Sequence, residues 1–296
     1  MFKVFKSKIP EYLIDNVLKA HEIFKFSKLS FFRAQGTNSF ESPKLDKYNN
    51  QINSIQNPHL LGLSRSFRKA HNKIIFHKSI SNALREFNGE KDHIHYQSMF
   101  FDKSTGTQLH QDTWYLDTQP RGNLVGVWIA LEDININSGP FIVYTNTDKK
   151  IINPSKYDFK DLENDKRFKK DYSDSKKFQF LAQKGDLLIW DSFSIHGAET
   201  ALEENSTRKS ITSHFYPKKF INNDPPVKRI YSIYNHKNPS KTPNKKIFKA
   251  ATINPYLFSL LCILLKLFNP LKSILLRDKT LLKNQKGIVE IRKLKN

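Results

Sequence analysis

The spacing of apolar positions along the chain changes once, near Gly89. Before it, EYLIDNVLKAHEIFK (11–25) sets Leu13, Ile14, Val17 and Leu18 three to four residues apart, the period that puts side chains on one helical face. HKSISNALREFNG (77–89) reads as a second helix closed by Gly89. Residues 1–90 are therefore expected to form a helical, loop-rich region that packs on whatever follows. After Gly89 the apolar runs become short and are bounded by Gly, Pro, Asp or Asn: IHYQSMFFD (94–102), LVGVWIALED (124–133), GPFIVYT (139–145), GDLLIWD (185–191) and KSITSHFYP (209–217). Runs of this kind predict strands, and a series of them predicts a mainly β sandwich or jelly roll over 91–226, with flanking helices.

Charge modifies this outline in two places. Residues 148–178 hold 10 basic and 7 acidic side chains, which predicts a solvated insertion at the mouth or flank of the barrel. The tail, 227–296, holds 16 Lys and Arg against Asp278 and Glu290, so +14 of the formal charge of +21 lies there and only +7 on residues 1–226. No zinc finger, RNP-like or recognition-helix pattern accompanies the excess, so nucleic acid is not an expected partner. Within the tail, NPYLFSLLCILLKLF (254–268) is apolar on every side of a helix, yet its run of about 13 apolar residues is shorter than the roughly 20 that span a bilayer. LKSILLRDKTLLKN follows, with leucines and Ile274 on one face and basic residues around it. Two readings stay open: 254–286 is an interfacial anchor on anionic lipid, or it packs on the barrel or a second subunit. A single cysteine, Cys262, and a start, MFKVFKSKIPEYLIDN, without the apolar stretch of a secretory signal give a reducing cytoplasm as the expected compartment.

Candidate chemistry begins in QLHQDTWYLD (108–117). In an extended segment residues two apart share a face, so His110 and Asp112 can offer an imidazole nitrogen and a carboxylate oxygen to one ion. A third ligand is found in KGDLLIWDSFSIHGAE, where His196 comes at a strand end and Gly197 permits close backbone approach. Two histidines and a carboxylate leave three positions of an octahedral iron open, the arrangement of non-haem Fe(II) oxygenases. Twelve residues on, Arg208 opens RKSITSHFY, read as a neighbouring strand running back, and its guanidinium fork suits a carboxylate. His93 and His95 in DHIHY are read as surface or strand-edge residues, because no glutamate follows at the spacing a cupin uses. His214 is read as a satisfied strand histidine and Asp191 as a turn cap.

From about Gln97 to Tyr216 the chain resembles the phytanoyl-CoA dioxygenase family of Fe(II)/2-oxoglutarate oxygenases, through QSMFFDKSTGTQLHQDTWYL, VGVWIALEDININSGPFIVY, KGDLLIWDSFSIHG and RKSITSHFY in order. The resemblance implies a double-stranded β-helix in which His110, Asp112 and His196 bind Fe(II) and Arg208 grips the 2-oxoglutarate carboxylate. It also puts Trp128 where the family has a tryptophan lining the co-substrate pocket, although Trp128 reads equally well as barrel core, and Gln97 on the strand facing it. The implied activity consumes 2-oxoglutarate and O2, yields succinate and CO2, and hydroxylates an unactivated C–H, with no side chain acting as acid or base. Asp112 argues against halogenating relatives, which lack the carboxylate. Three departures stand out: Ala198 replaces a small hydroxyl residue, Arg208 comes one residue late, and YTNTDKK replaces a Pro-Gly-Ser-His turn after SGP. They leave open a jelly-roll binding protein without turnover, or a module acting through its tail. Family members accept acyl-CoA thioesters, compatible solutes, amino acids and small natural products, so the substrate is not named; the basic balance favours a small anionic metabolite.

Overall fold

A computed structural model describes residues 1–220 apart from 38, 39, 115, 119, 148 and 149, together with 233, 234, 239, 240 and 260. But for Leu260, the tail segment 254–286 and the roles expected of it lie outside the described residues. Among those residues no helix is long and apolar enough to cross a membrane.

In chain order the elements are β1 (Phe2–Phe5), α1 (Glu11–Phe26), β2 (Phe32–Ala34), β3 (Phe40–Glu41), β4 (Ile55–Gln56), α2 (Arg65–Ile75) and α3 (Lys78–Asn88). There follow β5 (His93–Phe101), β6 (Thr105–His110), β7 (Val125–Ala130), β8 (Phe141–Tyr144), α4 (Lys166–Asp171), β9 (Lys177–Phe180), β10 (Leu187–Asp191), β11 (His196–Thr200) and β12 (Ser210–Pro217). Both expected helices form. In α1, Leu13, Ile14, Val17, Ala20, His21 and Phe24 are buried, with Glu11 in the first turn and Lys25 in the last, each at the end that complements the helix dipole. In α3 the His77 side chain accepts from the Ser79 amide, and Gly89 closes the helix at φ 77°, a left-handed conformation that glycine adopts without penalty.

The strands make two antiparallel sheets, ordered β1-β10-β7-β12-β5-β4-β2-β3 and β6-β11-β8-β9, the jelly roll expected of the apolar runs. Residues 1–90 do more than pack as helices. β1 pairs with β10 at one edge, Phe2 opposite Trp190, while β4, β2 and β3 extend the other edge beyond β5.

Successive residues on a strand point to opposite faces, and the central strands of the large sheet use this fully. Val125, Val127 and Ile129 of β7, Leu187 and Ile189 of β10, and Ile211 and Phe215 of β12 join one cluster with Ile14, Val17, Phe24, Phe67, Ile74 and Leu84 of the helices. Burying each such aliphatic side chain contributes about 1.5–3 kcal/mol, so this face carries much of the stability. The alternate residues Trp128, Ala130, Leu188 and Trp190 pack with Phe141, Val143 and Phe180 between the two sheets. Past Trp128 and Trp190 that inner face opens into a cavity.

Candidate active site

The small sheet brings the two candidate histidine ligands together. β6 and β11 pair so that His110 stands directly opposite His196, the first residue of its strand. At Gly197 a Cβ would lie 2.6 Å from the Thr107 carbonyl oxygen, so the close approach requires glycine. After His110 the chain does not stay extended. It turns into a 3-10 segment, Asp112–Trp114, so the same-face rule for a strand does not explain the pairing of His110 with Asp112; the turn does. The result is compact: Asp112 Oδ1 lies 3.8 Å from His110 Nε2 and 3.6 Å from His196 Nε2, and candidate ligand atoms of all three lie within 4.8 Å of one another. Ligand atoms bound at about 2.1 Å in cis positions on one ion are about 3 Å apart, so little movement is needed to close on a metal.

Hydrogen bonds orient each group. His110 Nδ1 donates to the Gln108 carbonyl at 2.7 Å and His196 Nδ1 to the Ser194 carbonyl at 3.0 Å, which fixes both tautomers with Nε2 as the lone-pair nitrogen. Trp190 Nε1 donates to Asp112 Oδ2 at 3.0 Å, leaving Oδ1 turned toward the histidines. Trp190 reaches that position because residue 126 is glycine; a Cβ there would lie 2.1 Å from the indole. Burial lowers His196 to about 3 and lowers His110 as well. Burial by itself would raise the Asp112 carboxyl, but His196, His214 and His110 beside it bring it below the ordinary carboxylate range. Neutral imidazoles beside an ionised carboxylate are the protonation states that metal binding demands.

The cavity beside this cluster has a volume of about 490 Å³, and Gln97, Trp128 and Arg208 line it with the three candidate ligands. Arg208 is not on a neighbour of β11. It precedes β12, which lies between β7 and β5 in the opposite sheet, and its amide donates to the Asp102 carbonyl at 3.0 Å. Its side chain is 2% exposed, stacks over Phe101 at 5.3 Å, and has Nε and Nη1 without an acceptor among the described residues. Burial lowers it to about 10, which still leaves it cationic at neutral pH. A buried cation without a counter-ion is costly, and an anionic ligand offsets that cost. Trp128 packs against Phe141 and Phe180 in the core and also lines the cavity, where its buried Nε1 has no acceptor among the described residues. Ala198 also lines the cavity, presenting a methyl group where a hydroxyl was expected.

Other expectations change. His93 and His95 are not surface residues: both are buried, and His95 packs among His59, Phe76 and Phe215. His214 is more than a satisfied strand histidine, since its Nε2 lies 3.3 Å from Asp112 Oδ2 and its Nδ1 3.4 Å from the Gln97 amide. Asp191 does cap a turn, accepting from the Ser194 amide at 2.9 Å. Insertion 148–178 is solvated only on its outside. Ile152, Tyr157, Phe159, Leu162 and Phe168 form a cluster with Trp114 and Ile195, and Pro154 and residues 157–160 line the cavity. Gln111, between the two ligands of the motif, staples it: its amide donates to the Lys150 carbonyl at 3.0 Å and accepts from the Ile152 amide at 2.8 Å. The signal that was available for Trp190 and Trp114 is scarcity: the chain has three tryptophans, and all of them line the cavity.

Comparison with known proteins agrees with this geometry. Phytanoyl-CoA dioxygenase, peroxisomal, from Mus musculus is 29% identical over 116 residues, which are 38% of this chain and 34% of that protein. Its Bos taurus counterpart is 28% identical over 118 residues, with the same coverage. The matched stretch thus spans about a third of these relatives. Among solved structures, the non-heme monooxygenase ThoJ in its nickel complex has a TM-score of 0.54 at 13% identity, covering 90% of this chain and 95% of that one. EctD from S. alaskensis, solved with 2-oxoglutarate and 5-hydroxyectoine, has a TM-score of 0.52 at 13% identity, covering 74% and 73%. At such identity these two likenesses establish the fold alone. The family model for phytanoyl-CoA dioxygenase (PhyH) matches residues 13–210, two-thirds of the chain, and the chain belongs to that family.

Proposed function

We propose that the chain is an Fe(II)- and 2-oxoglutarate-dependent dioxygenase that hydroxylates an unactivated C–H of a small metabolite. The observation that carries this reading is the pairing of His110, Asp112 and His196 with a buried Arg208, whose Nε and Nη1 have no acceptor among the described residues, across one cavity. His110, Asp112 and His196 would hold the iron, which supplies, when bound, a Lewis-acidic centre able to activate O2 against 2-oxoglutarate. Arg208 would pair with the distal carboxylate of 2-oxoglutarate, and the Trp128 indole N–H is a second donor on the same wall, in a position to supply the hydrogen bond that Ala198 lacks. Phe141 stacks on His196 at 5.7 Å and Trp190 packs against it at a tilt at 4.8 Å, so both put apolar surface beside this ligand. Gln97 and His214 line the wall beside Asp112, with the Gln97 amide 3.4 Å from His214 Nδ1.

The test is direct. The purified protein, supplied with Fe(II), is expected to bind one iron per chain and to convert 2-oxoglutarate to succinate even without primary substrate. His110→Ala and Asp112→Ala are each expected to abolish iron-dependent turnover, and full activity in either would overturn the ligand assignment. Arg208→Ala is expected to raise the KM for 2-oxoglutarate about tenfold or more while iron stays bound, because a charge-assisted contact is lost. An unchanged KM would move the carboxylate clamp elsewhere.

A further inference from the structure

The cavity has a second end. Its iron and co-substrate side is made by the barrel strands; its outer side is made by the insertion, through Pro154, Tyr157, Asp158, Phe159 and Lys160, with Trp114 behind them. This outer wall is built rather than draped. Trp114 Nε1 donates to the Ile152 carbonyl at 2.9 Å, and its ring meets Phe159 edge to face at 4.8 Å. Tyr157 donates its hydroxyl to Asp171 Oδ2 at 2.7 Å. Asp165 takes the amide of Asp158 on one oxygen at 2.6 Å and caps α4 with the other, accepting from the Arg167 and Phe168 amides. Asp158 in turn accepts from the Lys160 amide at 2.9 Å, which closes the turn on itself. The turn that carries residue 160 is therefore fixed from both sides before any ligand arrives.

Charge on this wall is equally specific. Among the described residues, Arg208 and Lys160 are the Lys and Arg side chains that line the cavity. Arg208 is deep and buried, whereas Lys160 is exposed at the rim. Asp158 lines the same wall, its Oδ1 taken by the Lys160 amide, while four other acids of the insertion are engaged elsewhere: Asp171 with Lys156 and Tyr157, Asp165 with Arg167 and the cap, Glu163 with Lys177, and Asp161 with Asn164. Among the described residues no carboxylate lies within ion-pair distance of Lys160. A rigid aromatic surface ending in a cation fits a molecule with a flat or chain-like apolar body and an anionic group at the end away from the metal.

We infer that the insertion is the substrate-recognition wall of this enzyme, and that Lys160 selects substrates bearing a terminal anion, with Trp114, Tyr157 and Phe159 receiving the apolar body. The inference rests on the dioxygenase reading only in calling the bound molecule a substrate, so binding rather than turnover tests it. The full-length protein, loaded with 2-oxoglutarate and with Zn(II) in place of iron, is titrated calorimetrically with 3-phenylpropanoate, 3-phenylpropyl phosphate, 3-phenylpropanamide and 3-phenylpropylamine. Expected is binding of an anionic probe about fivefold or more tighter than the amide, with the amine weakest, the scale of one partly exposed ion pair. Carboxylate against phosphate identifies the kind of anion. Lys160→Gln is expected to erase the preference for the anion over the amide, and Lys160→Arg to keep it. Phe159→Ala is expected to weaken all four probes together. Equal binding of acid and amide, retention of the preference in Lys160→Gln, or no binding of any probe would each overturn the inference. Failure of the dioxygenase reading looks different: no succinate forms with iron, yet the anion preference and its loss in Lys160→Gln persist.

Discussion

Two trios of buried or half-buried histidines, one at the cavity and one among the helices, do different things. His110, His196 and His214 surround Asp112 at the cavity. His59, His71 and His95 are buried under the helices, with the His59 and His95 rings edge to face at 4.8 Å. A one-residue irregularity puts His95 in the second trio rather than the first. Pairing of β12 with β5 runs from His214 opposite Gln97 to Phe215 opposite His95, skipping Tyr96, so the phase of β5 flips and His95 turns to the helix side. Among the described residues, His110, Asp112 and His196 are the cluster of three metal-capable groups, and the helix-side trio is not another. Histidine number therefore does not make a site; a carboxylate within about 4 Å and a strand face open to a cavity do.

If the helix side is for stability and the cavity side for chemistry, substitutions on two neighbouring strands of the large sheet should separate the two. Ile189 of β10 is fully buried toward the helices, and Ile189→Ala is expected to destabilise the protein by about 2–5 kcal/mol while the folded fraction keeps its iron affinity. A urea midpoint and an iron titration on the same sample check this, and a parallel loss of iron affinity would dissolve the distinction. One strand away, Gly126→Ala pushes into the Trp190 indole and should displace its hydrogen bond to Asp112. Losing such a support for a ligand typically costs 10–100-fold in metal affinity, so about that drop is expected, with a smaller effect on the urea midpoint than Ile189→Ala. Wild-type iron affinity in a folded Gly126→Ala protein would show that Trp190 does not orient Asp112.

How much of this was legible in the sequence follows from the same division. β5, β7, β8, β10 and β12 are buried along most of their length, so their apolar runs stood out. β6, β9 and β11 read TGTQLH, KFQF and HGAET, mixing polar or half-exposed positions with few large apolar ones, and hydropathy alone does not find such strands. Two of those three carry or adjoin the candidate metal ligands, so it was the motif and the family resemblance, not periodicity, that located His110, Asp112 and His196. Arg208 was found in the same way, but its sheet was not, because strand order is a long-range property. Trp190, His214 and the aromatic face of the insertion became visible only once the strands were paired. Tyr157, Phe159 and Phe168 are spread among lysines and acids with no repeating spacing, so net charge hid a packed wall.

The smallest effect isolates the helix-side trio by pH. Burial lowers His71 to about 4 and pushes His59 and His95 well below 6.5. A histidine whose folded pKa is depressed is neutral in both states above pH 6.5, so its contribution is fully present there. As pH falls below 6.5 the unfolded chain binds the proton first, and stability is lost until the folded pKa is reached, about 4 for His71. The loss is roughly 1 kcal/mol per histidine over the first pH unit, before the ordinary carboxylates titrate. His196 and His110 at the cavity are lowered in the same direction, so wild type alone does not separate the two sides. His71→Leu does: its ring nitrogen Nδ1 meets only the Asn72 side chain at 3.4 Å, so the substitution removes one titrating group from the helix side and leaves Asp112 and its neighbours intact. Urea midpoints at pH 7.0 and 5.5 are expected to differ less in His71→Leu than in wild type, by roughly 1 kcal/mol. An equal difference in the two proteins would mean that His71 contributes nothing to acid sensitivity and that its protonation does not differ between the folded and unfolded chain.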